Sequence, residues 1–271
     1  MARSRLAFLF TLAAAIPAVH AQPAAAAGPA IFQRLAAVDL MGNWVSVVTE
    51  DWAVRMLPPI KGDFVSLPLN ALGQKVANTW DPARDLAAGE ACKAYGAPAL
   101  LRIPGRVKIG WQDGGKTLRI DTDAGEQTRL LHFAGEEPRG EAGWQGYSSA
   151  AWEYANGFDP DRASSAGDGR AGVAVRRGRA APPTAPQGGS LKVITTHLKP
   201  GYLRNNGVPF SKDAVLTEYF NVHSDPYGTD WLIVTATVHD PAYLVVDYIT
   251  STNFKREPDD SKWRPRPCTV K

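Results

Sequence analysis

The sequence predicts an all-β protein, built as an antiparallel barrel or sandwich. Three observations support this fold class: short segments with strand-like alternation, tight-turn residues between them, and no regular alternation of strands with helices. Roughly nine or ten short strands follow from these signals. The chain has 271 residues, of which 44% are hydrophobic. That is enough apolar material for a sizeable core.

The first strand is predicted at residues 42–49, which are rich in β-branched and aromatic residues. A helical excursion follows near 70–95. Its first helix is expected at 70–80, where apolar residues recur at four-residue spacing. Pro82 then interrupts the pattern, and a second short helix is expected within 83–95.

Three further strands are predicted at residues 106–112, 117–121 and 127–133. Apolar and polar residues alternate along the first of them, as expected for a strand with one buried face. Asp113-Gly114-Gly115 and Asp123-Ala124-Gly125 separate the strands, and both are typical turn sequences. This part of the chain is therefore expected to form an antiparallel meander.

The second half of the chain contains a low-complexity segment followed by more strands. Residues 156–190 are rich in Gly, Ala, Arg, Pro and Ser, so we expect a disordered surface insertion. Strand patterns resume at 191–198, 215–222, 231–238 and 249–254. The insertion lies between two halves of one sheet system, which favours a single domain.

The N-terminus has the features of a secretory signal peptide, residues 1–21. A basic start precedes a short apolar stretch, and small residues lead up to a cleavage point near Ala21. Residues 22–38 are expected to be a flexible segment, and 39–271 the β-barrel domain. The protein is therefore predicted to be periplasmic or secreted.

Charge and hydropathy exclude some classes of partner. The net charge is +3, and it falls close to +1 when the two arginines of the leader are removed. A nearly neutral chain offers no electrostatic basis for binding nucleic acid. Beyond the leader, no apolar stretch is long enough for a membrane span.

The chain contains two cysteines, Cys92 and Cys268. Export to an oxidising compartment favours a disulfide between them, and the alternative is two separated thiols. Neither cysteine has a neighbouring histidine, and the histidines lack metal-ligand spacing. We therefore predict no metal and no cofactor, and the alternative is a metal-dependent enzyme in which His132 and His197 meet.

Three short motifs resemble the lipocalins and other calycin barrels. Gly42-Asn43-Trp44 resembles the Gly-x-Trp signature that opens the first strand of that family, and Thr217-Glu218-Tyr219 resembles its Thr-Asp-Tyr-like motif. Lys255 and Arg256 end the last strand, where lipocalins carry a basic residue packed across the first-strand Trp. The resemblance implies a lipocalin-like barrel that holds a small, mostly apolar molecule.

Glu218 is the most informative carboxylate for acid–base chemistry. It lies between Leu216 and Phe220 on one face of a predicted strand. If that face points into the barrel, Glu218 is a candidate acid, base or ligand anchor. If the opposite face points inward, Glu218 is an ordinary surface residue.

Four other polar residues are candidates for the same site. His197 shares a strand face with Thr195 and is expected to point inward, as a core histidine or a functional one. The direction of His132 is undecided. Asp51 and Arg55 either line the rim of a cup or form a capping ion pair at a turn.

The aromatic content indicates a possible ligand cavity. The sequence has eight Trp and eight Tyr, whose large apolar bodies and polar tips suit a site for an aromatic or lipid-like molecule. Aromatic residues also fill ordinary β cores, so this alternative remains open. The candidates for ligand binding are Trp44, Trp52, Trp111, Tyr219 and Trp231.

The main functional hypothesis is an exported protein that binds a small hydrophobic or aromatic molecule in a barrel cavity. The alternative is a cofactor-independent lyase, isomerase or hydrolase working in the same cavity. In that case Glu218 or Asp51 would be the base, His197 or His132 the acid, and Arg55 would hold an anionic intermediate. A third hypothesis is an envelope interaction protein whose insertion orders on a partner.

Overall fold

The computed structural model describes residues 31–57, 59–133, 141–160, 183 and 185–270. It confirms an all-β protein with a few short helices. The predicted signal peptide and most of the predicted insertion lie outside the described residues. Within the described residues, no helix is long and apolar enough to cross a bilayer.

Nine strands form a closed barrel. In chain order the strands are β1 (Gly42–Val47), β2 (Arg106–Gln112), β3 (Thr117–Thr122), β4 (Thr128–His132), β5 (Tyr147–Tyr154), β6 (Gly189–Thr196), β7 (Gly201–Arg204), β8 (Val208–Phe210), β9 (Val215–Ser224), β10 (Asp230–His239) and β11 (Tyr248–Glu257). The barrel order is β1-β11-β10-β9-β6-β5-β4-β3-β2, and β7 pairs with β8 in a separate small sheet. Because β1 pairs with both β2 and β11, the barrel has no open edge.

Most neighbouring strands of the barrel run antiparallel, as predicted, but β4 and β5 are parallel. Strand β5 begins beside the last residues of β4, with Leu131 opposite Ser148. Strand β5 is absent from the sequence-based prediction. Its inward-facing Ser148 and Ala150 are small, so the segment lacks the alternation of large apolar residues that marks the other strands.

The helices are short and lie outside the barrel wall. They are α1 (Ile31–Arg34), α2 (Trp52–Met56), α3 (Ala71–Ala77), α4 (Pro82–Ala87) and α5 (Ala97–Leu100). Helices α3 and α4 confirm the predicted excursion near 70–95. Asn70 caps α3 by accepting a hydrogen bond from the backbone of Gly73, and Asp81 caps α4 in the same way, with Pro82 at its start.

The barrel interior holds two apolar clusters. One lies toward the end at which β1 begins, which we call the mouth, and includes Trp44, Leu131, Leu191, Phe220 and Phe254. The other lies toward the opposite end, which we call the far end, and includes Leu198, Phe210, Leu216, Val238 and Tyr248. Buried polar residues lie between the two clusters, among them Arg129, Ser148, Thr195 and Glu218.

The arrangement of Trp44 and Arg256 is the one that the lipocalin resemblance implies. Trp44 is fully buried, and the guanidinium carbon of Arg256 lies 4.2 Å from the centre of its ring. Arg256 also donates hydrogen bonds to the carbonyl oxygens of Asp39 and Met41. It therefore ties the chain before β1 to the end of β11. The neighbouring Lys255 is exposed.

Cys92 and Cys268 form the predicted disulfide. The bond fixes the C-terminal tail beside the β3–β4 turn. There the backbone of Arg266 donates to the Asp123 carbonyl and accepts from the amide of Gly125, both at 2.8 Å. The tail is thus held covalently and by backbone pairing.

Replacing both cysteines by serine should destabilise the protein. The bond closes a loop with a sequence separation of 176 residues. In the chain-entropy model, a loop of that order contributes at most about 5 kcal/mol to the free energy of unfolding. Urea denaturation of the Cys92→Ser/Cys268→Ser variant, compared with the oxidised wild type, measures the loss. Equal midpoints would contradict a stabilising role.

Candidate functional site

A cavity of about 320 Å³ lies at the mouth of the barrel. The barrel contributes Trp111, Leu118 and Trp152 to its lining. The remaining lining residues come from the segment that precedes β1: Gln33, Ala36, Ala37, Val38, Asp39, Leu40 and Met41. The cavity therefore lies between the barrel and this N-terminal segment, residues 31–41, and is partly open to solvent.

The N-terminal segment is held to the barrel through its backbone. Trp152 Nε1 donates to the carbonyl of Phe32 at 2.9 Å, and the Tyr154 hydroxyl donates to the carbonyl of Leu35 at 2.9 Å. Trp44 Nε1 donates to the carbonyl of Leu40 at 3.0 Å. Side chains of the barrel thus fix the position of the segment across the mouth.

Four aromatic rings pack beside this cavity. Phe133 lies centrally, with its ring centre 5.6 Å from Phe32, 5.2 Å from Trp111 and 5.4 Å from Trp152. The rings of Trp111 and Trp152 are 6.5 Å apart. Distances of this size are typical of favourable aromatic pairs. The mouth is consequently a surface rich in packed aromatic rings.

Of the five aromatic residues predicted to bind ligand, Trp111 lines this cavity. Trp44 is buried in the core and Trp52 is 65% exposed on α2, at the far end. Tyr219 and Trp231 alternate with the buried residues of β9 and β10, so they lie on the outer face of the barrel. Sequence reasoning missed Trp152 as a lining residue, because β5 was not recognised as a strand.

Glu218 points into the barrel, which decides between the two alternatives left open by the sequence. Arg129 binds its carboxylate in a bidentate fashion, with Nη1–Oε1 at 3.0 Å and Nη2–Oε2 at 2.6 Å. Arg129 Nη2 also lies 3.2 Å from the hydroxyl of Thr195 and 3.4 Å from that of Ser148. Both members of the ion pair are 1% exposed.

This geometry makes Glu218 a structural residue. Its charge is compensated by a guanidinium in an ideal fork geometry, and the pair is closed off from solvent. A carboxylate held in this way has no free access to a substrate proton. The signal in the sequence was the placement of a carboxylate between two apolar residues. It left burial and exposure of Glu218 as alternatives and did not indicate the partner.

The two candidate histidines lie outside the barrel interior. His132 is on the outer face of β4, where its ring stacks on that of Tyr147 at 4.9 Å. His197 is exposed, so the prediction that it points inward is wrong. Strand β6 ends at Thr196, and His197 adopts a left-handed conformation with φ of 59°, which breaks the alternation.

Asp51 and Arg55 lie at the far end of the barrel. Asp51 pairs with Arg102 at 2.7 Å, rather than with Arg55 as the capping alternative would have it. Arg55 donates from Nε to the backbone carbonyl of Arg102 at 2.9 Å. The five candidates for acid–base chemistry are therefore not brought together at one site.

The described residues contain no group of three or more His, Cys, Asp or Glu side chains arranged to hold a metal ion. No known protein-family profile matches the chain, and no curated protein matches it. The closed nine-stranded barrel is compatible with a lipocalin-like fold. The cavities, charges and side chains described above are the basis for proposing a function.

Removing one partner of the buried ion pair should destabilise the protein strongly. Glu218→Leu leaves the Arg129 guanidinium buried without a counter-charge, a change that typically costs roughly 3–5 kcal/mol, and Arg129→Met leaves the carboxylate in the same position. Replacing both residues, as Arg129→Met/Glu218→Leu, should cost much less. A double-mutant cycle measured by urea denaturation checks this, and additive losses would contradict direct coupling between the two side chains.

Proposed function

We propose that the protein binds a small, mostly apolar or aromatic molecule at the mouth of the barrel. The observation that carries this proposal is the cavity between Trp111 and Trp152 on the barrel and the N-terminal segment. Its volume of about 320 Å³ lies at the lower end of the ~300–1,000 Å³ range of small-molecule sites. A ligand with one to three rings fits a site of this size.

The chemistry of the lining favours an uncharged ligand. Eight of the ten lining residues are apolar or aromatic, and the ionisable residue among the ten is Asp39. Asp39 is near Arg256, with the Nη2–Oδ2 distance at 3.7 Å. Gln33 could supply one polar anchor. The site therefore provides aromatic stacking and burial of apolar surface, and it provides little electrostatic attraction for a charged ligand.

We also propose that the chain is an exported calycin-type barrel. The packing of Arg256 across Trp44 supports kinship with that group. The disulfide supports an oxidising compartment, because such bonds persist mainly in exported proteins. Mass spectrometry of the protein from an exporting host would show whether the chain begins after Ala21.

The ligand proposal can be tested with N-phenyl-1-naphthylamine, a neutral probe that fluoresces in apolar surroundings. The wild type should bind the probe saturably. Ala37→Trp, which places a large side chain in the cavity without removing core contacts, should weaken binding at least tenfold. Trp111→Ala should do the same by removing a stacking surface. Fluorescence titration gives each dissociation constant.

Trp263→Ala is the matched control for Trp111→Ala. Trp263 lies against Lys108 on the outer face of the barrel and does not line the mouth cavity, so its loss should change probe affinity less than twofold. Circular dichroism and urea midpoints verify that each variant folds. Unchanged affinity in a folded Ala37→Trp variant would refute binding in this cavity.

A further inference from the structure

A second cavity, of about 370 Å³, lies at the far end of the molecule. It is outside the barrel interior, between α2, α5, the β3–β4 turn, β7 and the C-terminal tail. We call it the arginine cavity, because four arginines line it: Arg55, Arg102, Arg204 and Arg266. It shares no lining residue with the mouth cavity.

Arg204 carries an unpartnered charge in this cavity. The residue lies at the end of β7 and is only 8% exposed. Neither Nη atom is accessible to solvent or has a hydrogen-bond partner among the described residues. A buried guanidinium is normally paired, because taking its charge out of water is costly. A buried guanidinium without a partner therefore indicates a binding site for an anionic ligand.

Arg55, on α2, resembles Arg204 in having buried Nη atoms that lack a partner among the described residues. Its Nε donates to the carbonyl of Arg102, which fixes the side chain on α2. Both Nη atoms are buried and, like those of Arg204, lack a partner in the described part of the chain. Burial and the neighbouring charge of Arg102 lower the pKa of the Arg55 guanidinium. Two carboxylates nearby, Glu50 and Asp51, offset this only in part.

The charges around the arginine cavity do not balance. Its described lining contains four arginines and neither Asp nor Glu. Glu50 and Asp51 lie just behind it, but both are bound to Arg102, at 2.8 and 2.7 Å. Arg266 is exposed to solvent, whereas the Nη groups of Arg55 and Arg204 are buried without a bound carboxylate among the described residues. The cavity therefore favours an anionic ligand over a cationic one.

The rest of the arginine cavity is mainly apolar. Its other walls include Val54, Met56, Ala94, Ile103, Leu203 and Pro267. Met56 and Leu57 line the cavity and are also 59% and 63% exposed, so apolar surface continues from the cavity to the outside. An inorganic ion would leave these walls without a contact. An organic body attached to the anionic group would cover them.

From these observations we propose that the arginine cavity is a second binding site, specific for a small organic oxyanion. When the guanidinium groups of Arg55 and Arg204 turn into the cavity, their Nη groups donate hydrogen bonds to the carboxylate, phosphate or sulfate group of the ligand. Its apolar body lies against Val54, Ile103 and Leu203. Guanidinium groups suit this role because they are permanently charged and offer several donors in a plane.

Binding of model anions tests the proposal on the oxidised full-length protein by isothermal titration calorimetry at constant ionic strength. Benzoate and its neutral isostere benzamide differ in charge but hardly in shape. Benzoate should bind at least tenfold more tightly than benzamide. Phenyl phosphate should likewise bind at least tenfold more tightly than inorganic phosphate, because only the former contacts the apolar walls. Equality within either pair overturns the proposal.

The relative affinities of benzoate and phenyl phosphate show whether the site prefers a carboxylate or a phosphate or sulfate ester. Tighter binding of benzoate assigns the site to carboxylates, and tighter binding of phenyl phosphate assigns it to phosphate or sulfate esters. Both results support the oxyanion site, provided that binding is lost with the arginines. Binding that survives their replacement overturns it.

Arg204→Met removes the charge and keeps the unbranched stem of the side chain. It should weaken benzoate binding at least tenfold, and Arg55→Gln should act in the same direction. Arg84→Gln is the matched control, since Arg84 is an exposed arginine on α4 and does not line the cavity. It should alter benzoate affinity less than twofold.

Thermal stability without ligand distinguishes a binding residue from a structural one. If Arg204 is an unpaired charge held ready for an anion, Arg204→Met should unfold at a higher temperature than the wild type. A structural arginine would give the opposite shift. A lower unfolding temperature together with unchanged benzoate affinity would overturn the proposal, whatever the outcome of the probe titration at the mouth.

Discussion

The ion pair between Arg129 and Glu218 is the interaction on which the interior of the barrel depends. Arg129 is on β4 and Glu218 on β9, and Ser148 and Thr195 on the two intervening strands bond to the same guanidinium. One polar layer therefore joins four neighbouring strands. A charge in this layer is tolerated only because its partner is present, so the layer constrains which strands are neighbours and in which register they pair.

The polar layer also separates the two ends of the molecule chemically. Toward the mouth, the interior is apolar and ends in the aromatic cluster around Phe133, beneath the N-terminal segment. Toward the far end, a second apolar cluster is covered by α3, α5 and the β7–β8 sheet, and the arginine cavity lies outside it. The two proposed sites follow from this division: one offers stacking surfaces for an uncharged molecule, the other uncompensated positive charge.

Much of the fold could be predicted from the sequence, because most strands have large apolar residues on one face and turn residues at their ends. The strand predicted at 106–112 and the turn at Asp113-Gly114-Gly115 are examples that the structure confirms. The site was harder to predict. Arg129 and Glu218 are 89 residues apart, so nothing local indicates their pairing. His197 shows that alternation stops predicting direction where a strand ends. Arg204 lies on a four-residue strand with an irregular register, and its burial depends on elements distant in sequence.

The central claim is that the two ends of the molecule hold separate sites with opposite preferences. It is tested most directly by NMR, which can follow tryptophan indole N–H and arginine Nε–H signals in one sample. Addition of N-phenyl-1-naphthylamine should shift the indole signals of Trp111 and Trp152, and addition of benzoate should shift the Nε–H signal of Arg55. Each compound should shift its own signals whether or not the other compound is present. Competition between the two compounds, or shifts of the same signals by both, would contradict the account.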